Sequence, residues 1–228
     1  LMDRIDTKFS FSIKDLELFL VSIVENYDVL EIENSPISKY NSLYYDDAEL
    51  SAFNDHRRKK PNRFKVRFRK YVHSDIQFLE VKHKVHGRTV KTRVSSDSIP
   101  NEMNTEQEKF VSDSGINGKL HANLQNKFNR ITLIHKDKTE RLTFDFDISF
   151  EWDGKQVNLD QIVVAELKQA KVDRNSPFYR LMKKNIIRPM KLSKYCLGMI
   201  LIHDKEKIKY NRFKKKLLFI KKIQKNVA

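Results

Sequence analysis

Arg63, Lys65, Arg67 and Arg69 occupy every second position of the stretch Asn62–Tyr71, and Phe64, Val66 and Phe68 fill the places between them. Successive side chains of a β-strand point to opposite faces. This segment therefore predicts a strand with a row of cations on one side and an apolar surface on the other. The pattern returns with acids mixed in. Glu80, Lys82 and Lys84 alternate with Leu79 and Val81, and Thr89, Lys91 and Arg93 with Val90 and Val94. Arg141, Thr143, Asp145, Asp147 and Ser149 alternate with Leu142, Phe144, Phe146, Ile148 and Phe150, and Glu166 and Lys168 with Val163, Ala165 and Leu167. Cations grip phosphate oxygens, and arginine does so with two parallel donors. Carboxylates hold Mg2+ or Mn2+, which bridges phosphates. A face made of both has the chemistry of a metal–triphosphate site. A DNA-binding face has little use for interior carboxylates.

The composition agrees with an anionic ligand. The chain has 228 residues with 45 Lys+Arg against 30 Asp+Glu, a net charge of +15. Such a charge attracts nucleic acid, phosphorylated ligands or an anionic membrane surface. One cysteine, Cys196, excludes an internal disulfide framework, and its apolar setting predicts a buried thiol. His73, His83, His86 and His121 lack metal-ligand spacing. There is no Gly-rich phosphate loop, no signal-peptide pattern at Leu1–Ser12, and the apolar run Cys196–Ile202 is too short to span a bilayer. The expectation is a soluble, cytoplasmic chain with one substantial core.

Several elements must position these residues. A strand is expected over Arg4–Phe11. Ser12 then caps a helix from Ile13 to about Asn26, with Asp15 as acidic partner. Tyr27–Ile32 and Tyr40–Asp46 read as strands, the latter with Tyr40, Ser42, Tyr44 and Asp46 on one face. Asp47–Arg58 reads as a short helix. Gln77–Val85 and the strand after it flank a turn at His86-Gly87, and Asp153-Gly154 signals another hairpin. Ser95–Gly118 mixes loop with a short helix, and Phe128–Lys136, Arg141–Phe150 and Ile162–Lys168 are strands. A helix starts at Ser176-Pro177, and Ser193 caps another over Lys194–Ile202. Residues 205–228 form a basic tail whose lysines interleave with Phe213, Leu217, Leu218, Phe219 and Ile223. That tail suits an anionic membrane surface as well as it suits docking on the domain.

Alternation alone favours the commoner arrangement, an apolar sandwich with charged faces in water. Two features argue for the inverse, a barrel with a charged lumen and helices outside. The polar faces are rich in Arg rather than Ser, Thr or Gln. Carboxylates also sit inside the cationic faces, at Glu80, Asp145, Asp147 and Glu166.

An ordered set of short segments resembles the VTC domain, the polyphosphate polymerase domain of the vacuolar transporter chaperone type, within the triphosphate tunnel metalloenzymes. The segments are Arg4–Phe9, Tyr44-Tyr45-Asp46, Lys65–Tyr71, Leu79–Lys84, Asn129–Thr132, Arg141–Asp145, Val164–Lys168 and Ser193-Lys194-Tyr195. The resemblance implies an α+β fold, a closed antiparallel eight-stranded β-tunnel with helices packed outside, over residues 1–204. It implies Arg67, Arg69, Lys82, Arg130, Arg141 and Lys194 as catalytic phosphate ligands, and Lys8, Lys65, Lys84, Lys168 and Ser193 as weaker ones. It further implies Glu166 as the carboxylate for Mn2+ or Mg2+, helped by Glu80, with ATP and inorganic polyphosphate as partners. Asp6 stands where the family usually has Glu, and is left out of the site because a shorter acid reaches less far. The implied reaction moves the γ-phosphoryl of ATP to a growing polyphosphate. A triphosphatase or polyphosphatase on the same fold and a non-catalytic polyanion binder are the competing classes.

Overall fold

Strand pairing in this chain is antiparallel throughout, because each strand returns beside a neighbour through a turn, a hairpin or a helix that packs on the outside. The computed structural model describes residues 5–85, 88–204, 206 and 208–225. Strand β1 (Ile5–Ser12) passes through a 3-10 turn at Ile13–Asp15 into helix α1 (Leu16–Ile23). Then come β2 (Tyr27–Val29), β3 (Ile37–Asp46), α2 (Ser51–Arg58), β4 (Arg63–Tyr71), β5 (Ile76–Val85) and β6 (Arg88–Ser95). Helix α3 (Thr105–Asp113) precedes β7 (His121–His135), β8 (Glu140–Trp152), β9 (Lys155–Leu159) and β10 (Ile162–Gln169). Helices α4 (Pro177–Lys184), α5 (Lys194–Ile202) and α6 (Lys214–Lys225) follow.

The sheet has ten strands, in a main path of eight ordered β1-β10-β8-β7-β3-β4-β5-β6, with β2 beside β7 and β9 beside β8. The eight-stranded path agrees with the expected count. Closure goes further than the hydrogen bonding does: among the described residues the path ends at β1 and β6 without pairing them, so this is a strongly curled open sheet. The expected turn at His86-Gly87, and Arg4 of the first strand, lie outside the described residues.

Helices cover the convex side of the sheet. Phe9, Phe11, Leu142, Phe144, Val163, Ala165 and Leu167 meet Leu16, Phe19 and Ile23 of α1 and Phe178 and Met182 of α4. Leu43, Tyr45, Val66, Phe68, Leu79 and Val81 pack with Val111 of α3. The expected helix at Ile13–Asn26 is shorter, since the chain spends its first turn in 3-10 geometry where Ser12 Oγ accepts from Lys14 N. In α3, Asn104 and Gln107 form a capping box. The strand expected from Phe128 begins earlier, at His121.

A third cluster enters from one end of the curl. Seven of the nine residues of α5 are buried, as expected of a helix apolar all round. They pack on Tyr44, Leu124, Ile148, Phe150 and Val164. This contact requires a break in the alternation of β8. Asp147 sits at φ 49°, and between Asn129 and Lys127 of β7 the opposing strand carries one extra residue. The bulge reverses the parity, so Ile148 and Phe150 join the α5 cluster while Leu142 and Phe144 stay with α1 and α4. Helix α6 packs Leu217, Ile220 and Ile223 on the same cluster, leaving Leu218 and Phe219 exposed. Among the described residues, no helix is long and apolar enough to cross a membrane.

Gly198 marks the tightest point of α5. A Cβ there would lie 2.5 Å from both Leu124 Cδ2 and Phe150 Cδ1, and both side chains are fully buried. Gly198→Ala should lower stability by about 1–2 kcal/mol, because overpacking outweighs the ~1 kcal/mol gain in helix propensity. Urea denaturation measures it. An unchanged or raised midpoint would show that α5 can shift without cost.

Candidate functional site

The concave face is built from three carboxylates that each hold two cations. Strand register puts Arg67 opposite Glu80. Arg67 Nε and Nη2 donate to Glu80 Oε2 at 2.8 and 2.7 Å, and Lys91 of β6 holds Oε1. Arg130 faces Asp145 across β7 and β8, with Nε on Oδ1 at 2.5 Å and Nη2 on Oδ2 at 2.8 Å. Lys194, the first residue of α5, also reaches Oδ2. Lys8 and Lys168 hold the two oxygens of Glu166 at 2.8 and 2.5 Å.

Other cations of the same face have no carboxylate partner among the described residues. Lys65 Nζ donates to Ser193 Oγ at 2.8 Å, and Ser193 Oγ in turn accepts from Cys196 N as the N-cap of α5. Arg69 is 7% exposed, and its one hydrogen bond among the described residues runs from Nε to Ser42 Oγ at 3.3 Å. Its guanidinium lies over the rings of Tyr40 and Phe128, at 5.2 and 5.7 Å from their centroids. Arg130 shares those two rings, and Lys194 lies over Phe128. An aromatic shelf thus supports three cations where hydration has been removed.

The electrostatics record both the crowding and the curl. Burial lowers the Lys65 ammonium to about 8, with Lys82, Lys8 and Arg63 adding repulsion. Lys82 falls to about 8 through burial and the charge of Lys8, against the pull of Glu166 and Asp6. Lys82 is on β5 and these neighbours are on β1 and β10, so charges from both halves of the curled sheet act on one another. Lys194 also falls to about 8, by burial and the charges of Arg130 and Lys8. Burial and Arg67 lower Arg69 to about 10. The carboxylates move the other way. Burial works against ionisation of Glu80, but Arg67, Arg69 and Lys91 hold it down at about 2. Asp145 and Glu166 are likewise kept well below the usual carboxylate range, by Arg130 with Lys194 and by Lys8 with Lys168.

The structure therefore brings Lys8, Lys65, Arg67, Arg69, Lys82, Arg130, Lys168, Ser193 and Lys194 onto one concave surface with Glu80 and Glu166. Lys84 stands at the end of β5 opposite Arg63. Arg141 pairs in register with Lys168 but is exposed. Asp147, which the alternation groups with Asp145, is turned away by the bulge and accepts from Asn129 Nδ2 at 2.8 Å. Three contributors lie beyond the expected set. Lys91 was legible on the polar face of its strand. Asp145 was visible as an acid among cations, but its role as a clamp depends on pairing with Arg130. The Tyr40–Phe128 shelf places two rings on the same face as the cations, and the position of Phe128 depends on register.

For a divalent cation the residues offer hard oxygen donors in Glu166 and Asp6, whose Oδ1 is 3.9 Å from the Lys168 Nζ that holds Glu166. No group of three His, Cys, Asp or Glu able to cage a metal occurs among the described residues. That donor set fits Mg2+ or Mn2+ carried with phosphate, where one or two carboxylates suffice and phosphate and water oxygens complete the shell.

Solved structures share this architecture. A candidate adenylate cyclase from Bacillus halodurans superposes with a TM-score of 0.52 at 12% identity, covering 84% of this chain and 96% of that one. A candidate adenylate cyclase from Vibrio parahaemolyticus gives 0.52 at 13% identity, covering 86% and 98%. A candidate adenylyl cyclase from Hippeastrum, described as revealing a dominant triphosphatase activity, gives 0.51 at 11% identity, covering 88% and 98%. No curated protein sequence matches significantly. The VTC domain profile matches residues 3–203. With that match over most of its length, the chain belongs to the VTC domain family.

Proposed function

We propose that this protein is a metal-dependent polyphosphate polymerase, transferring the γ-phosphoryl of ATP to the end of an inorganic polyphosphate chain within a channel that the curled sheet closes around it. The observation that carries the reading is the surplus of cations on one concave surface. Lys65, Arg69 and Lys82 have no carboxylate partner among the described residues, beyond the six cations that Glu80, Asp145 and Glu166 already hold. One triphosphate needs fewer. Surplus sites in line hold a second phosphate chain against the first, which raises the acceptor's effective concentration over that of water.

In the reaction the bond between the γ-phosphorus and the β–γ bridging oxygen breaks. A bond forms from a terminal oxygen of the polymer to the γ-phosphorus, and ADP departs with the bridging oxygen. Arg67, Arg69 and Arg130 bind and orient the non-bridging oxygens, and Lys8, Lys65, Lys82, Lys168 and Lys194 spread the charge that develops in transfer. Glu166, with Asp6 beside it and Glu80 as helper, would hold Mn2+ or Mg2+, which would supply charge neutralisation on the phosphates. A triphosphatase reading has one observation in its favour, the dominant triphosphatase activity that the description of the Hippeastrum structure reports for that protein. A nucleic-acid reading is weaker, because the Tyr40 and Phe128 rings lie buried under guanidinium groups rather than open to bases.

Supplied with ATP and Mn2+, the purified protein should produce ADP and an acid-labile polymer with little early free phosphate, seen by polyphosphate gel staining beside a phosphate assay. Stoichiometric free phosphate without polymer, even with a short primer, would assign the triphosphatase reaction instead. Glu166→Gln should abolish most metal-dependent turnover while metal-free tripolyphosphate binding persists in calorimetry. Full metal-dependent turnover in that variant would take Glu166 out of the metal site.

The lysines at about 8 give a pH dependence with a definite sign. A bound polyanion favours their charged forms, so their values rise on binding. Below pH 8 they are already protonated and affinity should be flat. Above pH 8 binding must take up protons, and affinity should fall by up to about tenfold per pH unit for each lysine involved. Calorimetry at pH 8.5 in buffers of different ionisation enthalpy reads the uptake directly. Zero proton uptake would mean that Lys65, Lys82 and Lys194 do not touch the ligand.

A further inference from the structure

Inside the channel cations alternate with carboxylates, but at one end they do not. Arg63 begins β4 and continues the row of Arg67 and Lys65 on the same face, and it pairs in register with Lys84 near the end of β5. Lys65 is tied to Ser193 in the segment that enters α5. Two residues earlier in that segment is Lys191, exposed, whose carbonyl accepts from Lys216 Nζ at the start of α6. Four separate stretches of chain thus bring Arg63, Lys84, Lys191 and Lys216 to one end of the sheet. Among the described residues none of the four makes an ion pair with a carboxylate.

The electrostatics of nearby groups agree with that placement. His56 of α2 is held neutral, down to about 2, first by burial and then by Lys65, Arg63, Lys216 and Lys84. Burial lowers Lys84, with Arg63 and Lys191 adding repulsion. Burial also lowers Lys216, and Lys59 and Lys191 repel it. Gathering like charges from four elements works against the folded state unless an anion visits them. The positions prolong the inner cation row past the edge of the sheet, which suits a linear polyanion longer than the channel.

We propose that this end is the port for the phosphate chain. Arg63, Lys84, Lys191 and Lys216 hold successive phosphates of the polymer outside the channel, so α6 and the segment before α5 take part in binding the polymer. The proposal rests on the polyphosphate reading above and adds the place where the chain passes.

The test compares the full chain with Lys191→Ala/Lys216→Gln, titrated separately with tripolyphosphate and with long-chain polyphosphate at several salt concentrations. Lys191→Ala alone is the second variant, since its exposed side chain can be removed without unfolding α6. The double variant should bind tripolyphosphate as the wild type does. Its affinity for the long chain should fall roughly threefold to tenfold, as expected for two partly exposed charge contacts, with a salt slope shallower by about one to two counterions. Lys191→Ala alone should show part of that loss. Equal weakening of both ligands, or of neither, would overturn the port. So would a wild type that binds the long chain no tighter than tripolyphosphate. An equal loss on a single-stranded oligonucleotide would also overturn it, marking a general polyanion surface. A wild type that binds tripolyphosphate but shows no length dependence leaves the functional reading standing without the port, whereas one that binds neither removes both.

Discussion

The constraint on which this structure depends is the cost of gathering cations away from bulk water. Like charges a few ångströms apart repel strongly in a medium less polar than water, and each pays a desolvation penalty as well. Glu80, Asp145 and Glu166 relieve this, each bridging two cations. The carboxylates are themselves desolvated, and only the paired cations keep them ionised. Removing one acid would leave two cations facing further cations. Removing a cation would leave its partner short of its counter-charge. The pairs also fix side-chain directions, so that donors stand where phosphate oxygens can replace the carboxylates.

The apolar side of the sheet makes that arrangement affordable in structure. Except for β6, whose Val90 and Val94 are exposed, the strands that carry inner cations turn hydrophobic residues outward, and α1, α3 and α4 cover them. Helix α5 contributes differently. Its apolar body packs on Tyr44, Leu124, Ile148, Phe150 and Val164 of β3, β7, β8 and β10, while its N-cap Ser193 and first residue Lys194 reach the charged surface beside β4. The bulge at Asp147 joins the two regimes. On one side of it β8 offers Asp145 to the cations, and on the other it offers Ile148 and Phe150 to α5.

Much of this was legible in sequence because a period of two is a strict rule. Arg67 and Arg69 must share a face, Glu80 and Lys82 must share another, and covering helices imply that those faces turn inward. Ser193 as a cap and Lys194 as the first residue of a helix were equally legible, since N-caps have a chemical signature. What alternation cannot give is register. That Arg67 meets Glu80, or that Arg130 meets Asp145, depends on cross-strand offsets set by turns and by core packing. The bulge was invisible because Arg141–Phe150 alternates without a break. Phe128 under two guanidinium groups and a lysine was hidden for the same reason, and β1 and β6 carry no signal that says whether their edges join.

Arg67 and Arg69 show how far position can separate two equal residues. They lie two apart on β4 and face the same way. Arg67 is held by the Glu80 carboxylate and donates to the Tyr44 hydroxyl, and these contacts outweigh burial to raise its guanidinium above the usual range. Arg69 has no carboxylate contact, and burial beside Arg67 lowers it. A phosphate that reaches Arg69, Lys82 or Lys65 breaks no ion pair on arrival, whereas one that reaches Arg67, Arg130 or Lys168 must displace a carboxylate. For the proposed phosphate ligand, the uncommitted cations would therefore be the easier first contacts, and the paired ones would be engaged by exchange as further oxygens arrive. Under the proposed function such an order would make the surface selective for length. A single phosphate gains too little to open the Glu80, Asp145 or Glu166 pairs, while a connected chain brings enough oxygens at high local concentration to replace them together.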